Sequence, residues 1–225
     1  MKNVNERKYY EAYDERYKTV HRKGLCWSTD TPSPIVFEII EKYNITAKMK
    51  LLELGCGEGR DAYYLLKNGF HLLATDISPE AINFCQKRYP TYKDNFQIVD
   101  CIKDSLNEKY DFIFAVAVIH MLVLDDDRNA FYRFLHTHLT EGGVALICSM
   151  GDGNTERQSD IRTAFELQER NCEGEKVFVA GTSCRMINNE IFSHELERNH
   201  LFILEKGQTS IPNAFPDMMY AVVKK

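Results

Sequence analysis

The sequence has no Cys-x-x-Cys pair, no long run of lysine and arginine, and no apolar stretch long enough to cross a bilayer. Each absence removes a class of function. Seven cysteines, an odd number without close pairing, read as reduced thiols in core elements rather than as a disulfide framework or a metal site. With a net charge of −5 and no basic run, the chain lacks the electrostatic footprint on which nucleic-acid binding depends. The start, Met1 to Lys8, is polar and has no apolar leader core, so the expectation is a cytoplasmic protein without a membrane partner. Internal repeats and low-complexity segments are missing too, and tryptophan is reduced to Trp27.

What is present is organised around Lys50 to Asp61. An apolar run, Leu51-Leu52-Glu53-Leu54, breaks into glycines at alternate positions, Gly55, Gly57 and Gly59, and then enters the Ala/Tyr/Leu-rich segment from Ala62 to Lys67. This pattern predicts strand, tight turn and helix. Glycine lets a turn adopt positive φ and lets its backbone approach a ligand. A dinucleotide fingerprint, G-x-G-x-x-G, would need its third glycine where Arg60 stands, so a nicotinamide or flavin site fits imperfectly. The next apolar run, Phe70 to Thr75, ends at Asp76, where a strand-end carboxylate is placed to accept from a ribose diol. A nucleoside ligand is implied.

At these residues, and through roughly Met49 to Met150, the sequence resembles the class I S-adenosylmethionine-dependent methyltransferases. Glu53-x-Gly-x-Gly-x-Gly, Asp76, Asp100-Cys101 and the Glu141-Gly142-Gly143 turn carry the resemblance together. Gly-Cys-Gly-x-Gly-Arg before a Tyr-Leu helix looks most like the small-molecule branch that includes the tellurite-resistance and thiopurine-type enzymes. The resemblance implies a Rossmann-like α/β fold: seven mostly parallel strands, helices on both faces, the last strand antiparallel. It implies S-adenosylmethionine as cofactor, with adenosylhomocysteine as product. Its contacts would come from Glu53, Gly55, Cys56, Gly57, Arg60, Asp76, Ile77, Asp100, Cys101, Ala117 and Trp27. Nucleobase amino-methyltransferases resemble one another in an Asp or Asn followed by Pro-Pro and an aromatic, where this chain has Ala117-Val118-Ile119-His120.

With 225 residues and 44% hydrophobic content, one domain with decorations is expected. From Glu6 to Arg22, Tyr9, Tyr13, Tyr17 and Val20 share a helical face; within residues 1–45 this helix either packs on the body or folds over the cofactor as a lid. Trp27 either covers the methionine end of the cofactor or plugs a gap between helix and sheet. Further helices are predicted from Pro34, Pro79 and the Asp125-Asp126-Asp127 run, the last read as a solvated cap rather than a metal site. Tyr110 to Ile119 reads as a strand covered on both faces.

Residues 151–187 form an unusually long connection, expected to cap the substrate, with a polar helix over Arg157–Arg170. The expected acceptor contacts are Tyr17, Trp27, His120, Asp152 and Arg185. His120, projected toward the crevice from a strand end, is either a general base or a histidine bonded to a nearby carbonyl. Arg185 binds a substrate carboxylate or pairs with Glu190 or Glu195. Methyl transfer from a sulfonium needs mainly positioning and exclusion of water. The expected reaction is methylation of N, O or S on a small molecule by a monomer or homodimer; a protein acceptor or a Rossmann-type oxidoreductase are the alternatives.

Overall fold

The computed structural model describes residues 7–212 and 214–225. The helix expected to start at Glu6 begins outside them; a 3-10 turn at Tyr9–Glu11 leads into α1 (Ala12–His21). After α2 (Pro34–Lys42) the alternation of strand and helix sets in: β1 (Lys50–Leu54), α3 (Arg60–Lys67), β2 (His71–Asp76), α4 (Pro79–Arg88), β3 (Phe96–Ile98), β4 (Tyr110–Val116), α5 (Asp125–His138) and β5 (Leu139–Met150). Beyond it come β6 (Arg157–Gln158), β7 (Leu167–Cys172), β8 (Glu175–Ala180), β9 (Arg185–Met186), α6 (Asn189–Arg198), β10 (Phe202–Ile211) and β11 (Phe215–Lys224).

Seven strands form one sheet in the order β10-β11-β5-β4-β1-β2-β3. β1 to β5 pair in parallel, and β11 runs against both its neighbours, β5 and β10. This is the expected sheet, including its one reversed strand at the C-terminus of the chain. Alternate side chains of the central strands face opposite layers, as the two-residue period of a strand requires. Leu51, Phe112 and Leu146 pack under α2, α3 and α4, while Leu52, Ile113 and Ala145 pack against α5 and α6. A parallel sheet buried on both faces explains the unbroken apolar reading of β4.

The long connection corrects the sequence reading. Instead of a polar helix, residues 157–170 hold β6, a 3-10 turn at Ile161–Thr163 and the start of β7, which pairs with β8 as an antiparallel hairpin. The hairpin turns on Glu173 and Gly174, both with positive φ (50° and 86°), the geometry that matches strand twist. Cys172, Val177 and Val179 bury against Val20 of α1 with Leu25 and Trp27, while Ala164, Ile161 and Phe165 pack into the main core beside α5 and α6, so tertiary packing overrides their helical spacing.

One buried cation ties the second helical layer together. Arg128 of α5 donates from Nε and Nη2 to the two oxygens of Glu195 on α6 (2.8 and 2.6 Å) and from Nη1 to the carbonyls of Ile119 and Leu122. Removing one partner of a buried pair strands the other, at about 3–5 kcal/mol. Arg128→Met should therefore lower stability by about 3 kcal/mol, read as a lower urea midpoint at unchanged slope.

Candidate active site

The glycine turn lies between β1 and α3 and is fixed by the adjacent strand. Cys56 N–H donates to the Thr75 carbonyl at 2.9 Å, and Gly57 N–H donates to Asp76 Oδ2 at 2.9 Å. The other oxygen of Asp76 accepts from Ser78 N–H at 2.8 Å, just before α4. Two positions demand glycine. Gly55 has φ +70°, and a Cβ there would stand 2.4 Å from Cγ2 of Val118; Gly57 has φ +54°, and its Cβ would stand 2.7 Å from the Tyr17 hydroxyl. Burial raises the pKa of Asp76 even though the N–H groups of Ser78 and Gly57 oppose it. Each carboxylate oxygen keeps a further lone pair for a ligand.

Two connected chambers open above the carboxyl ends of the strands. The first is walled by Tyr10, Asp76, Ile77, Val99, Asp100, Cys101 and Leu122, and is largely apolar with carboxylates at its edge. The second is walled by Trp27, Ser28, Glu53, Cys56, Gly57, Glu58, Arg60, Asp61, Ala117 and Phe215. Tyr13, Tyr17, Gly55 and Met121 border both. Carboxylates outnumber cations here, and two polar atoms are left over. Glu53 Oε2 and Arg60 Nε are buried without a hydrogen-bond partner. Burial holds the Glu53 carboxyl well above the usual carboxylate range, with Asp61 adding to the effect. Arg60 otherwise donates from Nη2 to Ser33 Oγ (2.7 Å) and Asp61 Oδ2 (3.3 Å), and Asp61 accepts from Ser33 N–H and Oγ.

Helix α1 lies across the turn. Its Arg16, 4% exposed, donates to the carbonyls of Ala180 and Gly181 and to Thr182 Oγ1, and its guanidinium stands 4.4 Å from the Trp27 ring centroid and 4.7 Å from that of Tyr13. The hairpin thus supports the aromatic wall from behind; no residue of 151–187 is among those walling either chamber.

Most predicted residues meet here. Glu53, Gly55, Cys56, Gly57, Arg60, Asp76, Ile77, Asp100, Cys101, Ala117, Tyr17 and Trp27 all border a chamber. Ala117 does so with φ +61°, a left-handed conformation costing an alanine about 1 kcal/mol. Three predicted acceptor contacts, His120, Arg185 and Asp152, are not among the residues walling either chamber. His120 turns away into the junction of β5 and β11: its Nδ1 accepts from Met150 N–H (3.3 Å), its ring meets Phe215 edge-on, and burial then Arg128 lower its pKa to about 4. The ring proton therefore sits on Nε2, which is a donor rather than a base. Arg185 pairs with neither Glu190 nor Glu195; Nη1 donates to Asp125 Oδ1 (2.5 Å) and the Val123 carbonyl. Asp152 closes its own turn, accepting from Asn154 N–H, Thr155 N–H and Thr155 Oγ1.

Sequence reasoning missed Glu58, Asp61, Tyr10, Tyr13 and Met121. Glu58 within the glycine turn and Asp61 just after it stand where an exposed charge is the default, and their burial depends on partners 28 to 37 residues away. A carboxylate beside a glycine that must be buried was the available signal.

The sheet order with one reversed strand, and a glycine turn held to a carboxylate on the next strand, define a Rossmann-like α/β domain. Residues 52–145 match the family model described as methyltransferase domain. Over 139 residues the chain is 30% identical to malonyl-[acyl-carrier protein] O-methyltransferase of Bacillus cereus, covering 60% of this chain and 49% of that protein. It is 28% identical over 115 residues to the probable S-adenosyl-L-methionine-dependent methyltransferase TehB of Haemophilus influenzae, covering 49% of this chain and 39% of that protein. The chain spans about half the length of the curated relatives it matches, or less. Among solved structures, an S-adenosylmethionine-dependent methyltransferase from Clostridium acetobutylicum superposes with a TM-score of 0.67 at 18% identity, covering 96% of this chain and 98% of that one. The 1,6-didemethyltoxoflavin-N1-methyltransferase of Burkholderia thailandensis superposes at 0.69 and 15% identity, covering 96% and 88%. At such identities these structures establish the shared architecture. Residues 52–145 are thus similar to a methyltransferase domain, on an α/β architecture shared with these solved structures.

Gly57→Ala should cost about 1–2 kcal/mol in left-handed strain, read as a fall in Tm. Tyr17→Phe, which clears the hydroxyl from the new methyl, should restore part of that loss in a double-mutant cycle.

Proposed function

We propose that the chain transfers a methyl group from S-adenosylmethionine to an N, O or S atom of a small-molecule acceptor. The observation that carries this reading is the acid-lined second chamber with a buried, partnerless Glu53 Oε2, joined to a first chamber edged by Asp76 and Asp100. Desolvated carboxylates favour a cationic ligand. A pyrophosphate-bridged dinucleotide would bring two negative charges against Glu53, Glu58, Asp61 and Asp76, which weighs against the oxidoreductase alternative.

The residues fit the cofactor in parts. Asp76 and Asp100 would take the ribose and adenine of the nucleoside, between Ile77, Val99 and Cys101. Glu53 would accept from the amino group of the methionine end, and Arg60 Nε would donate to its carboxylate. Tyr13, Tyr17 and Met121, which border both chambers, would surround the junction and keep water from it. When bound, the cofactor supplies an electrophilic methyl group on a sulfonium that departs as a neutral thioether.

With His120 turned into the sheet junction, and with Glu58 and Asp61 already saturated by donors, this chain's contribution is orientation and desolvation rather than proton abstraction. The acceptor then supplies its own lone pair, as a neutral amine or an ionised thiol or hydroxyl does. Covering of the chambers by Tyr13, Tyr17, Trp27 and Phe215 supports a compact acceptor.

Calorimetry tests the assignment. Asp76→Ala and Glu53→Gln should each weaken S-adenosylmethionine binding by about tenfold or more, the worth of one charge-assisted hydrogen bond, and NAD should not bind. Because a bound ammonium favours ionised Glu53, affinity should fall as pH drops through the raised pKa of that group. Turnover of methyl-labelled cofactor against a panel of amines, thiols and hydroxy acids identifies the acceptor; failure of the unaltered protein to bind the cofactor would refute the function.

A further inference from the structure

We propose that His21 and Glu58 form a protonation-dependent latch: α1 is held over the glycine turn while His21 is an imidazolium, and is released when the ring loses its proton. The effect on cofactor binding rests on the function proposed above; the latch itself does not.

His21 is the last residue of α1, and its ring bridges two carboxylates. Nε2 lies 2.9 Å from Glu58 Oε1 in the glycine turn, and Nδ1 lies 2.9 Å from Glu80 Oε1 in the first turn of α4. A neutral imidazole has one N–H and can serve only one of them, leaving a ring lone pair against a carboxylate oxygen at the other. Only the imidazolium satisfies both. A cation is favoured there in any case, at the negative end of α1. The ring is stacked on Phe84 (centroids 4.3 Å apart) and Tyr17 (5.8 Å), which hold it between the two acids.

Glu58 is the fixed side of the latch. Besides His21 it accepts from Trp27 N–H (2.7 Å), Ser28 N–H (2.6 Å) and Ser28 Oγ (2.7 Å), so one buried carboxylate in the cofactor turn gathers the end of α1 and the segment after it. Of the other titratable groups, burial with Asp76 and Glu58 raises the Tyr17 hydroxyl, burial with Glu173 and Glu58 raises the Cys172 thiol, and Glu173 accepts from Cys26 N–H. On α1, Lys18 pairs with Asp14, which also accepts from Ser78 Oγ and Glu80 N–H. On α4, Arg88 lies over the Phe84 ring and pairs with Asp30, and in the following segment Cys26 has a thiol pKa raised by burial and by Glu58.

Burial alone would lower the His21 pKa, and the hydrogen bonds to Glu58 and Glu80 outweigh it and raise it; the His21 bond, with those from Trp27 and Ser28, lowers that of Glu58 against burial. The sign follows. Closure is fully favoured below the open-state pKa of the histidine and is lost as pH rises through the higher closed-state value, while Glu58 stays ionised throughout.

Trp27, the sole tryptophan, reports the latch without any ligand. Acrylamide quenching of its fluorescence in the ligand-free protein, from pH 5.5 to 9, should rise in a one-proton transition lying above the ordinary histidine pKa of about 6.5. His21→Gln should abolish the transition, and Glu80→Gln, whose side chain is partly exposed, should move it to lower pH. A flat profile in the unaltered protein, or an undiminished transition in His21→Gln, would overturn the latch. Adenosylhomocysteine calorimetry on the same samples separates the two readings. Affinity should weaken by up to about tenfold per pH unit between the open and closed pKa values of His21, and not in His21→Gln. A Trp27 transition with no ligand bound at any pH would leave the latch standing and sink the proposed cofactor; bound ligand with no alkaline weakening would refute gating by the latch.

Discussion

Everything near the crevice depends on keeping the Asp76 carboxylate out of water while its two oxygens are held by backbone N–H groups from different elements. One comes from Gly57 in the first turn, the other from Ser78 at the start of α4. A buried carboxylate without such donors would be expensive, so the turn, the end of β2 and the N-terminus of α4 are obliged to meet. The obligation spreads outward. Ser78 Oγ donates to Asp14 of α1, and the Gly57 backbone leaves room for the Tyr17 hydroxyl only because it lacks a Cβ. The N-terminal helix is therefore located by the same few atoms that shape the turn.

The second consequence is electrostatic. Burial has concentrated Glu53, Glu58, Asp61 and Asp76 about one turn, with Arg60 as the cation among them. Glu58 and Asp61 are satisfied by local donors, and their charge is structural. Glu53 is not: its Oε2 is buried without a partner, and burial holds its carboxyl above the usual carboxylate range. The distinction between the satisfied and the unsatisfied acids separates what the fold needs from what a ligand would complete.

The sheet was legible because its signals are local: an unbroken apolar run for β4, glycines at alternate positions for the turn, a Ser-Pro start for α4. Asp76 was legible for the same reason, since a strand end followed by a Ser-Pro helix start fixes its place. Glu58 was not, because its partners His21, Trp27 and Ser28 are brought in by the packing of α1. His120 was misread as facing the crevice; its position after β4 was legible, but the 3-10 turn at Ile119–Met121 and the Met150 N–H decide where the ring points. The hairpin β7–β8 was missed since its apolar residues answer to Val20 of a distant helix rather than to their own spacing.

That hairpin places a guanidinium behind the aromatic wall without itself reaching either chamber. Arg16 is pinned by three oxygens of Ala180, Gly181 and Thr182, and the Tyr13 and Trp27 rings rest on it. The turn residues Glu173 and Gly174, just beyond the buried Cys172, are by contrast exposed and free to vary. Divergence at this outlying ribbon can alter what stands behind Tyr13 and Trp27 while the bonds from Gly57 and Ser78 to Asp76 stay in place, so the wall and the turn can evolve separately.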